Sequence, residues 1–99
     1  MDEIKFRNWL LKNGKNKKVC SDAISRIKKI ERELGNIDLD EEYEKDQCQN
    51  LLNAFKNTGR NEQMEKYNSN LPIGRYHLSS YKYAVQVYIS FKNELGNTF

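Results

Sequence analysis

The chain has 99 residues, which is enough for one folded domain but too few for a second hydrophobic core of useful size. Hydrophobic residues make up only 37% of the sequence and charged residues 31%, so the hydrophobic core must be small. The mean hydropathy is −0.93, and no apolar run approaches the ~18 residues that span a bilayer, which excludes an integral membrane protein. Because no secretory signal peptide is recognisable at the start, we expect a cytoplasmic protein.

The net charge of +3 is distributed unevenly along the chain. Residues 1–37 carry ten Lys or Arg and five Asp or Glu, whereas residues 38–46 carry one Lys and six Asp or Glu. Residues 47–99 carry six Lys or Arg and three Glu. The short acidic segment therefore offsets a remainder that is basic, and a basic surface suggests a polyanionic partner.

Two helices are predicted in the first third of the chain. The first covers residues 3–13, because its apolar residues recur at helical spacing and Gly14 can adopt the left-handed conformation that follows a helix. Asn16 has a suitable side chain to cap the second helix, which is predicted over residues 17–34. The apolar face of that helix comprises Val19, Cys20, Ala23, Ile24, Ile27, Ile30 and Leu34.

The acidic segment is typical of a helix start, because negative charge stabilises the N-terminal end of a helix dipole. A third helix is therefore predicted over residues 41–58, with Asp40 before it. Residues 60–78 contain asparagine, proline and glycine at irregular intervals, so we expect a loop with one helical turn near residues 62–66.

The last helix is predicted over residues 79–95, with Ser79 or Ser80 as its N-cap. Apolar residues surround most of this segment, which is typical of a central helix, although a β-strand over residues 81–91 is the alternative. The predicted architecture is a single all-α domain over residues 1–99, a compact bundle of four main helices arranged as two helical hairpins.

Two motifs stand out in the predicted helices, namely Phe6-x-x-Trp9-Leu10-x-x-x-Gly14-x-Asn16 and Leu78-Ser79-Ser80-Tyr81-x-x-Ala84-Val85-x-x-Tyr88-x-x-Phe91. Together they resemble the N-terminal core-binding domain of tyrosine recombinases and phage integrases, a SAM-like helical module. Similar modules also stand ahead of nuclease domains in restriction systems. The resemblance implies duplex DNA as the partner, no catalysis by this chain itself, and a C-terminal catalytic domain that would act with it.

The candidate DNA-binding surface consists of three groups of residues. Lysine and arginine displace the counterions condensed on DNA, and free N–H groups at a helix start donate to phosphate oxygens. We expect the three groups to converge into one cationic patch that faces away from the acids around residue 42. They are Lys15, Lys17 and Lys18 in the first connection, Arg26, Lys29 and Arg32 on the second helix, and Arg75, His77, Ser79, Ser80 and Lys82 around the start of the last helix.

Each of these features also has a plainer interpretation. The lysines are equally consistent with a solvated helix face. His77 is more typical of a capping or surface histidine than of a metal ligand, because no second histidine exists. Four tyrosines are expected to pack in the core rather than to stack on bases, namely Tyr76, Tyr81, Tyr83 and Tyr88.

Enzymatic activity is not expected. The sequence contains no glycine-rich phosphate loop, no serine nucleophile elbow and no paired Cys/His nucleophile arrangement. Cys20 and Cys48 are predicted to be reduced, and with a single histidine they cannot supply four zinc ligands, so neither a metal nor a cofactor is predicted. The alternative function is a protein interaction or self-association module, using the acidic start of the third helix or an apolar patch.

Overall fold

The computed structural model describes residues 1–56, 61–67 and 78–96. All regular structure in these three ranges is helical, which confirms the all-α prediction, and the segment with an alternative strand interpretation lies inside a helix. The helices are α1 (Glu3–Lys12), α2 (Lys17–Glu33), α3 (Leu39–Asp46), α4 (Gln49–Ala54), α5 (Glu62–Lys66) and α6 (Leu78–Gly96).

Local capping sets the ends of the first hairpin, and α1 and α2 end within one residue of their predicted positions. Asp2 caps α1, since its Oδ1 accepts the N–H of Lys5 at 3.2 Å. Asn16 caps α2, since its Oδ1 accepts the N–H of Val19 at 2.9 Å. Between the helices, Gly14 has a φ of +83°, which glycine adopts without steric cost.

The predicted helix over residues 41–58 is wrong as a single element. Helix α3 begins at Leu39, two residues earlier than predicted, and ends at Asp46. Gln47 and Cys48 follow with φ values of 56° and 63°, so the chain turns before α4 begins. Residues 57 and 58 lie outside the described residues.

Burial explains why the chain turns at this point. The turn places the side chains of Cys48 and Leu51 in the core, where both are 0% exposed. Asp46 then stabilises the start of α4, because its Oδ2 accepts the N–H of Asn50 at 2.9 Å. The left-handed conformation of two residues that are not glycine is therefore offset by apolar burial and by the hydrogen bond between Asn50 and Asp46.

The predicted helical turn near residues 62–66 is present as α5. Asn61 caps it by accepting the N–H of Met64 at 2.9 Å, and its amide group donates to the carbonyl oxygen of Ala54 at 3.0 Å. Since Met64 is buried, this short helix packs against α4 and closes one side of the core.

Helix α6 begins at Leu78, so the prediction that Ser79 or Ser80 is its N-cap is wrong. Leu78 is only 2% exposed, and its burial extends the apolar face of the helix by one residue toward the N-terminus. Both serines lie in the first turn of the helix instead. As expected for a central helix, α6 packs against α1, α2 and α4.

An aromatic cluster joins α1 to α6. The centre of the Phe6 ring lies 4.9 Å from the centre of the Tyr88 ring, in an edge-to-face arrangement, and 5.3 Å from the centre of the Phe91 ring. Further along α1, Trp9 Nε1 donates to Glu94 Oε2 at 2.7 Å. The two helices therefore run in the same direction, while α2 runs back antiparallel to α1.

Candidate nucleic-acid interface

The connection between α1 and α2 carries four lysines and no acidic residue within residues 12–18, a segment that we call the lysine turn. Lys15, Lys17 and Lys18 are all exposed. None of these three forms an ion pair with any residue that the structure describes. The backbone of the turn is held firmly, because the N–H of Lys15 donates to the carbonyl oxygen of Leu10 at 3.1 Å.

The second predicted group lies on the outer side of α2. Lys29 is half-buried, and its Nζ sits 5.8 Å from the centre of the Tyr81 ring on α6. Arg32 is exposed, and its Nε donates to Glu33 Oε1 at 3.2 Å. Arg26 is half-buried. These cations are therefore partly engaged within the protein, unlike those of the lysine turn.

The third predicted group is described only in part. Ser79 is exposed, and Ser80 and Lys82 are half-buried, all in the first two turns of α6. The contact between Lys29 and Tyr81 brings this start of α6 beside the C-terminal half of α2. Arg75 and His77 lie outside the described residues.

The expected single cationic patch is divided between the two ends of α2. Lys18 and Lys29 are 11 residues apart, which corresponds to about 17 Å along a helix axis. Lys29 and Arg32 follow Lys18 by 11 and 14 residues, and both separations are close to a whole number of helical turns. The three residues therefore share one face of α2. The arrangement is a stripe with a dense end at the lysine turn, and Asp22 interrupts it midway.

Three of the acidic side chains surround the N-terminal ammonium. Glu31 Oε2 accepts from the N-terminal ammonium of Met1 at 3.0 Å and from the N–H of Leu39 at 2.9 Å. Asp38 Oδ1 accepts from the same ammonium at 2.8 Å, and Asp40 lies 3.8 Å from it. These three carboxylates, which we call the carboxylate cluster, therefore face the partly buried ammonium of Met1 rather than the lysine turn.

Helix α6 completes the carboxylate cluster. The hydroxyl of Tyr88, a residue that is 0% exposed, donates to Asp40 and accepts the N–H of Asp2 at 3.1 Å. Lys92 Nζ lies 3.4 Å from Asp40 Oδ1, the same oxygen that accepts the Tyr88 hydroxyl. The start of α1, the end of α2, the start of α3 and the middle of α6 are thus joined by one polar network.

The pKa shifts in this network follow from its geometry. Burial disfavours the charge on the Met1 amine, but hydrogen bonds to Asp38 and Glu31 and the nearby carboxylate charges outweigh it, so its pKa is raised above 8.0. The hydrogen bond from this ammonium lowers the pKa of Asp38 below 3.8. Burial, and then the hydrogen bond to Asp40, raises the pKa of Tyr88.

The sequence reasoning missed this network entirely. The acids around residue 40 are typical of a helix start, and Asp38 does cap α3 by accepting the N–H of Asp40 at 3.0 Å. Their second role depends on a backbone ammonium that lies 30 and 37 residues away from its two nearest partners. No periodicity or motif signals such a contact.

The tyrosines have different environments from those expected. Tyr88 is buried and Tyr81 is half-buried, but Tyr83 is 55% exposed, so the prediction that it packs in the core is wrong. Its position explains the difference, because it lies on the side of α6 opposite the buried residues Val85 and Tyr88. Tyr76 lies outside the described residues.

Two shallow grooves border the acidic side of the molecule. One is lined by Asp40 and residues 1–4, and the other by residues 43–47. Across the described part of the chain, no group of three or more His, Cys, Asp or Glu side chains is arranged to hold a metal ion. Within the same ranges, every helix is too short or too polar to cross a membrane.

Comparisons with protein-family models, with curated proteins and with solved structures found no match to this chain. The resemblance to the core-binding domain therefore stays a prediction that depends on the residue pattern alone.

Proposed function

We propose that this chain is a non-catalytic DNA-binding module that contacts duplex DNA mainly through its phosphates. The observation that carries the proposal is the lysine turn, where exposed cations lack carboxylate partners among the described residues. Each lysine that meets a phosphate releases condensed counterions, and this release dominates the affinity of such interfaces. The turn also leads into the N-terminal end of α2, where free N–H groups and the helix dipole favour a phosphate oxygen.

The stripe along α2 supports the same proposal. Lys29 and Arg32 lie on the face of α2 that also carries Lys18, so a duplex seated on the lysine turn meets further cations along its length. The carboxylate cluster supports it as well, because Glu31 and Asp38 are occupied by the Met1 ammonium. That ammonium offsets one of their two negative charges before DNA approaches.

Salt dependence of binding tests the proposal. A fluorescently labelled duplex is titrated with protein, and anisotropy is followed between about 50 and 200 mM KCl. About five phosphate contacts predict a log–log slope of affinity against salt near −4.5. Absent binding, or binding that salt does not weaken, would overturn the proposal.

A matched pair of variants locates the contact. Replacing Lys15, Lys17 and Lys18 with glutamine should reduce the magnitude of the slope by about 2.7, because three phosphate contacts are lost. The control replaces Lys45, Lys56 and Lys66 with glutamine, which removes the same charge from three exposed lysines elsewhere. If the two triple variants lose affinity equally, the lysine turn is not the contact.

The expected companion of this module is a catalytic domain of the recombinase or restriction nuclease type, as the resemblance implies. In such an arrangement the helical module would supply affinity for the duplex, and the catalytic domain would supply the chemistry. Fusing the chain to a non-specific nuclease domain checks this division of labour. Cleavage should become sensitive to the lysine-turn substitutions at low salt.

A second candidate function is a protein interaction through α6, and the exposure of Tyr83 favours it. This side chain is 55% exposed on a helix that packs against three others, and the half-buried Val87 lies one turn further along. Light scattering across a range of protein concentrations tests self-association. A strict monomer whose mass is unchanged by Tyr83→Ser would count against this candidate.

A further inference from the structure

Two aliphatic side chains flank the lysine turn and face solvent. Leu11 is 44% exposed and Val19 is 40% exposed, whereas their chain neighbours Leu10 and Cys20 are almost completely buried. The last turn of α1 and the first turn of α2 thus each direct one apolar residue into the core and one outward.

The local hydrogen bonds hold both side chains at the rim of the turn. The carbonyl oxygen of Leu11 accepts the N–H of Gly14 at 3.1 Å, and the N–H of Val19 donates to the capping side chain of Asn16 at 2.9 Å. Because both residues also belong to regular helix, their positions relative to the lysines are fixed before any partner arrives.

The combination of dense positive charge with exposed aliphatic groups suggests what kind of partner fits. Phosphates alone offer nothing for an aliphatic side chain to contact, whereas duplex DNA presents apolar surface beside its phosphates. In the major groove this surface is the thymine methyl group, and in the minor groove it is the face of an unstacked base step.

We propose that Leu11 and Val19 form the base-directed part of the DNA contact, packing against apolar surface of the bases while the lysine turn holds the adjacent phosphates. This inference rests on the proposed function and adds to it a contribution to affinity that is independent of salt. An anionic membrane is a poorer fit, because an interfacial helix needs a continuous apolar face, whereas Asn8 separates Leu11 from the next exposed apolar residue on α1, Ile4.

Ile4 supplies a matched control within the same helix. It is 75% exposed and lies seven residues before Leu11, so both share one face of α1 about 10 Å apart. Its neighbours in sequence include Asp2 and Glu3 rather than a cluster of lysines. A general effect of removing exposed apolar surface would appear at Ile4 as strongly as at Leu11.

The experiment compares Leu11→Gln, Val19→Thr and the control Ile4→Gln by duplex anisotropy over the same salt series. The first two should weaken binding about three- to tenfold at every salt concentration and leave the log–log slope unchanged, because they remove apolar contact but no charge. Ile4→Gln should bind as the original chain does. Circular dichroism and urea unfolding verify that each variant is folded.

Two further probes identify the contacted surface. On heparin, a polyanion without bases, Leu11→Gln should bind as tightly as the original chain. On a duplex with uracil in place of thymine, loss of the difference between Leu11→Gln and the original chain indicates a contact with the thymine methyl. If the difference persists and energy transfer shows a bent duplex, the side chain is inserted at a base step, and either result supports the inference.

The outcomes separate the two proposals. If Leu11→Gln and Val19→Thr bind like the original chain and the salt slope is retained, the inference fails and the proposed function stands. An equal loss on heparin and on DNA also overturns the inference. If neither duplex is bound in a salt-dependent manner, the proposed function itself fails.

Discussion

Replacing Glu31 tests whether the carboxylate cluster stabilises the fold. One oxygen of this side chain accepts two hydrogen bonds, from the Met1 ammonium at 3.0 Å and from the N–H of Leu39 at 2.9 Å, and the side chain is only 19% exposed. A hydrogen bond that involves a charged group contributes about 1.5–3 kcal/mol to stability. Glu31→Ala removes both bonds and leaves the partly buried ammonium with fewer partners, so we expect the free energy of unfolding to fall by about 3–4 kcal/mol.

This loss is a large share of the ~5–15 kcal/mol that stabilises a typical domain. Glu31→Gln keeps an acceptor oxygen but removes the charge, so its free energy of unfolding should fall by about half as much. Urea unfolding followed by far-UV circular dichroism measures the free energy of unfolding of both variants. The control is Glu41→Ala on the exposed side of α3, which should change stability by less than about 0.5 kcal/mol. If Glu31→Ala and Glu41→Ala are equally stable, the reasoning about this cluster is wrong.

Three further predictions concern the same region. Tyr88→Phe removes a buried hydroxyl that donates to Asp40, so the free energy of unfolding should fall by about 1–2 kcal/mol in urea, and an unchanged midpoint would contradict this role. The pKa of the Met1 amine is raised above 8.0, so its contribution to folding stability is complete below pH 8 and is lost as the pH rises through the folded-state pKa. The pKa of Asp38 is lowered, so its contribution is complete above pH 3.8 and is lost as the pH falls through the folded-state pKa. Thermal unfolding across this pH range should therefore show a central plateau, and Asp38→Asn should flatten the acidic limb. Burial and nearby carboxylates raise the pKa of Cys48 to about 12, so this thiol should resist alkylation until the protein is unfolded, and rapid labelling of the folded chain would argue against its burial.

The helices that sequence analysis located well are those whose ends depend on adjacent residues. Asn16 and Gly14 act through their own side chain and backbone freedom, so their roles are visible without the rest of the fold. The turn at Gln47 and Cys48 is different, because neither residue favours a left-handed conformation in isolation. Only the burial that follows in α4 explains it, and burial depends on packing between helices.

The same distinction applies to the candidate interface. The lysine turn is contiguous in sequence, so its concentration of charge could be predicted directly. The engagement of Lys29 with Tyr81 joins residues 52 positions apart, and pairing of that kind is set by how α6 lies against α2. The separation of Lys18 from Lys29 is different, because it follows from the rise of the correctly predicted second helix and needs no knowledge of packing.

The anchoring of α1 at both of its ends has a thermodynamic consequence for recognition. The second residue donates its N–H to Tyr88 at one end, and Trp9 donates to Glu94 near the other, so the helix that leads into the lysine turn is clamped to α6. The backbone of α1 is therefore ordered before a ligand arrives, and association need restrict only the side chains at the interface, which are the lysines and the flanking Leu11 and Val19. Binding should accordingly proceed with little change in heat capacity beyond that of the buried contact area, as expected for a preorganised surface rather than for coupled folding.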